Sequence, residues 1–212
     1  MTISRRSLLL APAALAPLPL LSPGVARAQG TTPVNSDPRL AERSAGQADA
    51  KATVIEYFSL TCSHCAAFHK ETWPQVKEKL VANGTVRMVW RDFPLDQLAL
   101  AAAQVARSLP AERYEGFISA LFASQERWAF TRGGDPIAEI AKIAALAGMT
   151  REQVDKAVAD QNLARGILEM RAKGQQDFNI SSTPTFVFGK KPQPGAIGYD
   201  RFAQLAGEAA GT

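Results

Sequence analysis

The stretch Val54-Ile55-Glu56-Tyr57-Phe58-Ser59-Leu60-Thr61-Cys62-Ser63-His64-Cys65 decides how the chain folds. It begins as a β-branched and aromatic run and ends on the chain's only two cysteines, two residues apart. A strand passing through Cys-x-x-Cys into a helix sets the first sulfur at a helix N-terminus. There, unpaired backbone N–H groups and the helix dipole favour an anion. For cysteine that anion is the thiolate, its reactive form. Ser63 and His64 lie between the cysteines, and a protonated imidazole beside Cys62 adds a second stabilising charge. Cys62 therefore reads as an exposed nucleophile and Cys65, one turn into the helix, as a shielded resolving thiol: a thiol–disulfide redox centre.

Working outward, Val54 to Phe58 alternates little, which predicts a strand buried on both faces, as in a mixed sheet flanked by helices. Glu56 is out of place in it, and desolvation there should raise its pKa and fit it to pass a proton to or from Cys65. Cys62 to Asn83 reads as a helix stopped by Gly84. His69, Trp73, Val76 and Leu80 form its inward stripe, with His69 read as a packed residue. Pro74 cannot donate to the carbonyl of Lys70, so a kink is expected near Lys70 to Trp73. Thr85 to Trp90 is a second strand, closed by Phe93-Pro94. Leu95 to Phe178 contains no convincing strand and at least four helices, one starting at the cap Asp135-Pro136 and one at the capping box Thr150-x-x-Gln153. A strand at Pro184 to Phe188 follows, then a Pro/Gly-rich stretch from Lys190 to Tyr199 with a short edge strand, and a closing helix from Asp200 to Gly207. Residues 29–50 read as a polar arm with an edge strand around Arg39 to Ser44.

At 212 residues, 46% apolar and 21% charged, the chain has the composition of one globular domain, or of one domain carrying an insertion. Residues 1–28 join Arg5-Arg6, an apolar stretch from Leu8 to Leu21 and a small-x-small site at Ala26-Arg27-Ala28, the pattern of a cleaved secretory signal. The apolar stretch is broken by Pro12, Pro17 and Pro19 and is too short to span a bilayer. Removing the signal takes three arginines and no acids, leaving 24 − 3 = 21 basic against 20 acidic residues. With no basic run remaining, nucleic acid is not an expected partner. A bridge closing a two-residue gap stabilises weakly, so catalytic use of the cysteines is favoured over stapling. Zinc binding by Cys62, Cys65 and His69 would need a fourth ligand in a chain whose only other histidine is His64. Haem attachment is excluded by Ala66, because that motif needs histidine directly after the second cysteine.

Taken in order, Glu-Tyr-Phe-Ser-x-x-Cys-x-His-Cys at 56–65, the inserted helices and Thr183-Pro184-Thr-Phe-Val-Phe-Gly189 resemble the thioredoxin-like superfamily and, within it, the DsbA-like periplasmic oxidoreductases. The resemblance covers about 54–208. It implies an α/β fold of thioredoxin type with a mixed central sheet: residues 51–94 and 179–212 form the thioredoxin-like domain and 95–178 an inserted helical domain. It implies an acid, here Glu56, beneath the active site. It also implies a cis-proline loop at Thr183-Pro184 facing the disulfide, where the Thr183 backbone can pair with an extended substrate. No cofactor or metal is implied beyond the redox-active Cys62–Cys65 disulfide. The implied partners are reduced, unfolded exported proteins and a DsbB-like membrane reoxidant, and the implied setting is the periplasm; the 22 residues from Gln29 to Ala50 are too few for the N-terminal domain or stalk through which isomerases of this fold oligomerise, so a monomer is expected. Two positions depart from the best-known family pattern: Ser63 stands where proline is usual, and Thr183 where valine is usual. Threonine there looks more like the disulfide isomerases, so an isomerase or reductase is the alternative to an oxidase. A periplasmic metal carrier or thiol chaperone is the alternative of a different class.

Overall fold

The computed structural model describes residues 37–211. The expected signal at 1–28 and the arm up to residue 36 lie outside the described residues. A five-stranded mixed sheet organises the rest. Its strands are β1 (Arg43–Ala45), β2 (Ala52–Phe58), β3 (Val86–Asp92), β4 (Thr185–Phe188) and β5 (Lys191–Pro194), in the order β1-β3-β2-β4-β5. Only β2 and β3 run parallel; the other pairs are antiparallel. The cysteine-bearing strand is thus the centre of the sheet, and the strand after Pro184 is its neighbour.

A helical run follows the cysteines. It comprises α1 (Ser63–Ala67), a π turn over Phe68–Thr72, α2 (Trp73–Val76) and a second π turn over Lys77–Val81. The disruption expected from Pro74 takes the form of the first π turn. The Trp73 N–H reaches back to the Phe68 carbonyl, and the proline then sits at the start of the next α segment, where its missing donor costs little. Val54, Phe58, Phe68, Trp73, Val76, Phe186 and Phe202 belong to one large buried cluster on this face of the sheet.

The other face holds Tyr57, Phe93, Ile180 and Val187, with Ile55 and Phe178 packed against them. Of the expected run Val54 to Phe58 only Ile55 is partly exposed; the strand also takes in Ala52 and Thr53, and Thr53 is exposed, so full enclosure begins at Glu56. Cover comes from α8 (Gln161–Phe178), whose Gly174 passes so close to Tyr57 that an added Cβ would lie 2.4 Å from the ring. β3 runs to Asp92 rather than stopping at Trp90. Its polar end is held in the ladder because Arg91 pairs with Glu42 at 3.0 Å and the Asp92 carboxylate meets Arg107.

Between β3 and β4 lie six helices: α3 (Gln97–Arg107), α4 (Ala111–Ala123), α5 (Gln125–Trp128), α6 (Pro136–Leu146), α7 (Arg151–Ala159) and α8. Asp96, Asp135 and Asp160 cap α3, α6 and α8, and the capping box of Thr150 with Gln153 opens α7. Arg107 fastens these helices to the sheet. Wholly buried, it bonds Asp92 of β3 and donates to the carbonyls of Arg39 and Ala41 at 3.0 and 3.1 Å, while Tyr114 of α4 donates its hydroxyl to Asp92. Helix α9 (Tyr199–Ala210) closes the chain and is longer than expected, since Gly207 is accommodated within it.

Candidate active site

Cys62 is the N-cap of α1. Its backbone is extended (φ −83°, ψ 119°), and its Sγ accepts the Cys65 backbone N–H at 3.4 Å, as a serine or aspartate oxygen does in an ordinary cap. Across from it lies the loop before β4. The Thr183–Pro184 peptide is cis, and the Cys62 thiol donates to the Thr183 carbonyl at 3.3 Å. Residues 121 apart in sequence therefore meet at the sulfur because β2 and β4 are sheet neighbours. Both cysteines are free thiols.

The two thiols sit in opposite environments. Cys62 keeps 8% of its surface, less open than the exposed nucleophile expected, and Cys65 keeps none. The Cys62 thiol is lowered to about 5. The largest cause is the hydrogen bond from the Cys65 thiol, opposed by burial; the Thr183 side chain and the backbone N–H groups of Cys65 and His64 lower it further. Among the described residues the buried Thr183 hydroxyl oxygen has no partner while Cys62 is a thiol donating to the adjacent carbonyl, so it is free to donate once the sulfur is an anion. Cys65 is pushed well up, first by burial, then by the Cys62 sulfur and the Glu56 charge.

His64 acts differently from the expectation. Its ring is exposed, and the lowering it gives Cys62 comes through its backbone N–H. Ser63 is exposed at the first position of α1. Glu56 is fully buried and its charge acts on the Cys65 thiol, but it is not the lone desolvated acid anticipated from its place on β2. His69 Nε2 lies 3.1 and 3.0 Å from its two carboxylate oxygens, and the His69 ring stacks on Phe122 at 4.4 Å. Burying a carboxylate is costly unless it is paired, and His69 supplies the pairing. With His69 turned to Glu56, the zinc set of Cys62, Cys65 and His69 is not assembled: among the described residues no three His, Cys, Asp or Glu side chains are placed to hold a metal.

Two residues escaped the sequence reading. His69 passed for core because it lies on the apolar stripe; its signal was that a lone acid on a buried strand and a lone histidine on the covering helix need each other. Gln125, at the start of α5, is 2% exposed and its side-chain amide donates to the carbonyls of Leu60 and Cys62 at 2.7 and 3.1 Å. No local pattern marks it.

Comparison with known proteins agrees with this geometry. A family profile described as thioredoxin matches residues 39–205. A Rickettsia bellii protein provisionally named a protein-disulfide oxidoreductase is 27% identical over 124 residues, 58% of this chain and 47% of that protein. A Rickettsia felis protein of the same name is 31% identical over 87 residues, 41% of this chain and 31% of its own. These matches therefore span about half or less of the relatives' length. Among solved structures, alpha-DsbA1 of Wolbachia pipientis is 26% identical with a TM-score of 0.74, covering 80% of this chain and 91% of that one. BdbD of Bacillus subtilis, 17% identical with a TM-score of 0.70 over 81% of this chain and 94% of its own, shares the fold.

Proposed function

The chain belongs to the thioredoxin family, and from that premise we propose that it is an exported thiol:disulfide oxidoreductase that introduces disulfides into secreted proteins. The observation that carries this reading is the opposite displacement of the two thiols, Cys62 down to about 5 and Cys65 up. A thiol with low pKa is a good leaving group and a stable anion, so its disulfide is readily attacked and its reduced state is favoured. Each unit of lowering stabilises the reduced form by about 1.4 kcal/mol, or about 30 mV for the two-electron couple.

In the oxidised protein, a substrate thiolate attacks Cys62 Sγ. The bond to Cys65 breaks, and the Cys65 sulfur leaves with the electron pair and takes up a proton. The substrate's second thiolate then attacks its own sulfur in the mixed disulfide and expels Cys62 as a thiolate. One disulfide has formed in the substrate, and two electrons rest on Cys62 and Cys65. Glu56, whose charge acts on Cys65, relays that proton from solvent to the departing sulfur. Thr183 pairs the substrate's extended backbone beside Pro184. Reoxidation falls to a membrane partner of DsbB-like kind, and the setting is the periplasm, reached through the signal at 1–28; no helix among the described residues is long and apolar enough to cross a membrane.

Absorbance of the Cys62 thiolate against pH, combined with equilibration against glutathione, tests the reading. The expected result is a midpoint near 5 and an oxidising couple, with Cys65→Ala capturing substrate as a mixed disulfide at Cys62. An unperturbed thiol near ~8.5 sinks the proposal. A lowered thiol with a strongly reducing couple and activity on scrambled substrates selects the second reading, an isomerase or reductase, which Thr183 before the cis-proline favours.

A further inference from the structure

The nucleophile's backbone is held from outside its own domain half. Cys62 follows a tight turn in which its N–H bonds the Ser59 carbonyl at 3.1 Å, and this turn must aim the sulfur at both the Cys65 N–H and the Thr183 loop. Within the turn, the carbonyls of Leu60 and Cys62 are taken by one side-chain nitrogen, that of Gln125, reaching in from α5 of the helical block. Leu60 is 1% exposed and Gln125 2%, so water cannot readily replace the amide. The Cys62 carbonyl also receives the Ala66 N–H at 3.1 Å, which makes it the acceptor through which the helix start and the helical block are joined.

We propose that Gln125 is a positioning residue for Cys62: by clamping the Leu60 and Cys62 carbonyls it fixes the turn that aims the sulfur at its donors, so that the helical block sets the redox balance of the thiol pair. This goes beyond, and rests on, the oxidoreductase reading above. A clamp of this kind favours whichever redox state needs the sulfur aimed more strictly. That state is the reduced one, because the thiolate depends on converging hydrogen-bond donors whereas the disulfide is held by a covalent bond.

The test uses the full mature chain with Gln125→Leu, which loses both donors at similar size, and Gln125→Glu, which presents oxygen to the two carbonyls. Each variant is assayed for the thiolate midpoint of Cys62, for the equilibrium with glutathione, and for thermal stability in both redox states. The expected result is a thiolate equilibrium displaced about tenfold towards the thiol in Gln125→Leu and further in Gln125→Glu. The glutathione equilibrium should move about tenfold towards the disulfide, which corresponds to about 30 mV, and stability should fall more in the reduced form. Equal loss of stability in both redox states, with an unmoved thiolate midpoint, overturns the proposal and leaves Gln125 a structural residue.

If either variant fails to fold, the wild-type protein decides by nuclear magnetic resonance. The Gln125 side-chain amide should titrate with Cys62 and shift between the dithiol and disulfide forms, and an amide blind to both changes overturns the proposal. Failure of the underlying reading is distinguishable, because it appears as an ordinary thiol midpoint in the wild type itself.

Discussion

At the scale of single residues, Cys62 and Thr183 account for most of the chemistry. Folding holds the Cys62 thiol at about 5, below its ordinary 9.0. The stability this gives the reduced protein is therefore full above about pH 9, falls as pH drops from 9 towards 5, and is absent below 5. Cys65, displaced upward, opposes it only above the ordinary thiol range. Urea unfolding of both redox forms should show the reduced form gaining on the oxidised one from pH 5 to 9, with a slope approaching about 1.4 kcal/mol per pH unit. Parallel curves would contradict the thiolate argument. Thr183→Val should remove a donor to the thiolate while also removing a buried hydroxyl oxygen that, among the described residues, has no partner in the thiol form. The expected outcome is a raised Cys62 midpoint and a glutathione equilibrium moved severalfold towards the disulfide, with the stability of the oxidised form little changed. If the midpoint is unmoved, the hydroxyl plays no part.

At the scale of elements, the meeting of β2 with the first π turn is the pairing of Glu56 with His69. His69→Phe preserves the aromatic stack on Phe122 and leaves the carboxylate buried alone, an expected loss of about 3–5 kcal/mol. Glu56→Gln combined with His69→Phe should recover part of that loss in a double-mutant cycle; additive losses would show that the pair is not coupled. The order of strands and helices was legible from the sequence because apolar periodicity, caps and Gly/Pro punctuation reflect local physics that tertiary packing did not override. Cys62, Cys65 and the Thr183-Pro184 loop were legible for the same reason, since each lies in a run whose local chemistry is distinctive. The role of His69 was not, because a histidine on an apolar stripe has the same pattern whether or not an acid faces it. Gln125 was hidden more deeply: its significance comes from a loop some 60 residues earlier that only the tertiary fold brings to it. The backbone hydrogen bond through which His64 acts is likewise invisible to a reading of side chains.

At the scale of the whole molecule, sheet and helical block are joined by a buried charge cluster rather than by apolar packing alone. Among the described residues Arg107 is the one guanidinium hydrogen-bonded to Asp92, so Arg107→Met should leave that carboxylate with the Tyr114 hydroxyl. Thermal unfolding should show a loss of about 3–5 kcal/mol, recovered in part by Asp92→Asn; a neutral outcome would mean that packing alone holds the two halves. The far margin of the sheet has a different bearing. β5 is Lys191-Pro192-Gln193-Pro194, with Pro192 opposite Val187 and Pro194 opposite Thr185. Proline has no N–H, so its place in an antiparallel ladder is where that group would point away from the neighbouring strand. The outward side of β5 thus offers carbonyls but no donors, and an incoming strand cannot complete a ladder there. An unfolded chain with free backbone groups, the proposed kind of client, therefore finds no donors on this margin with which to extend the sheet.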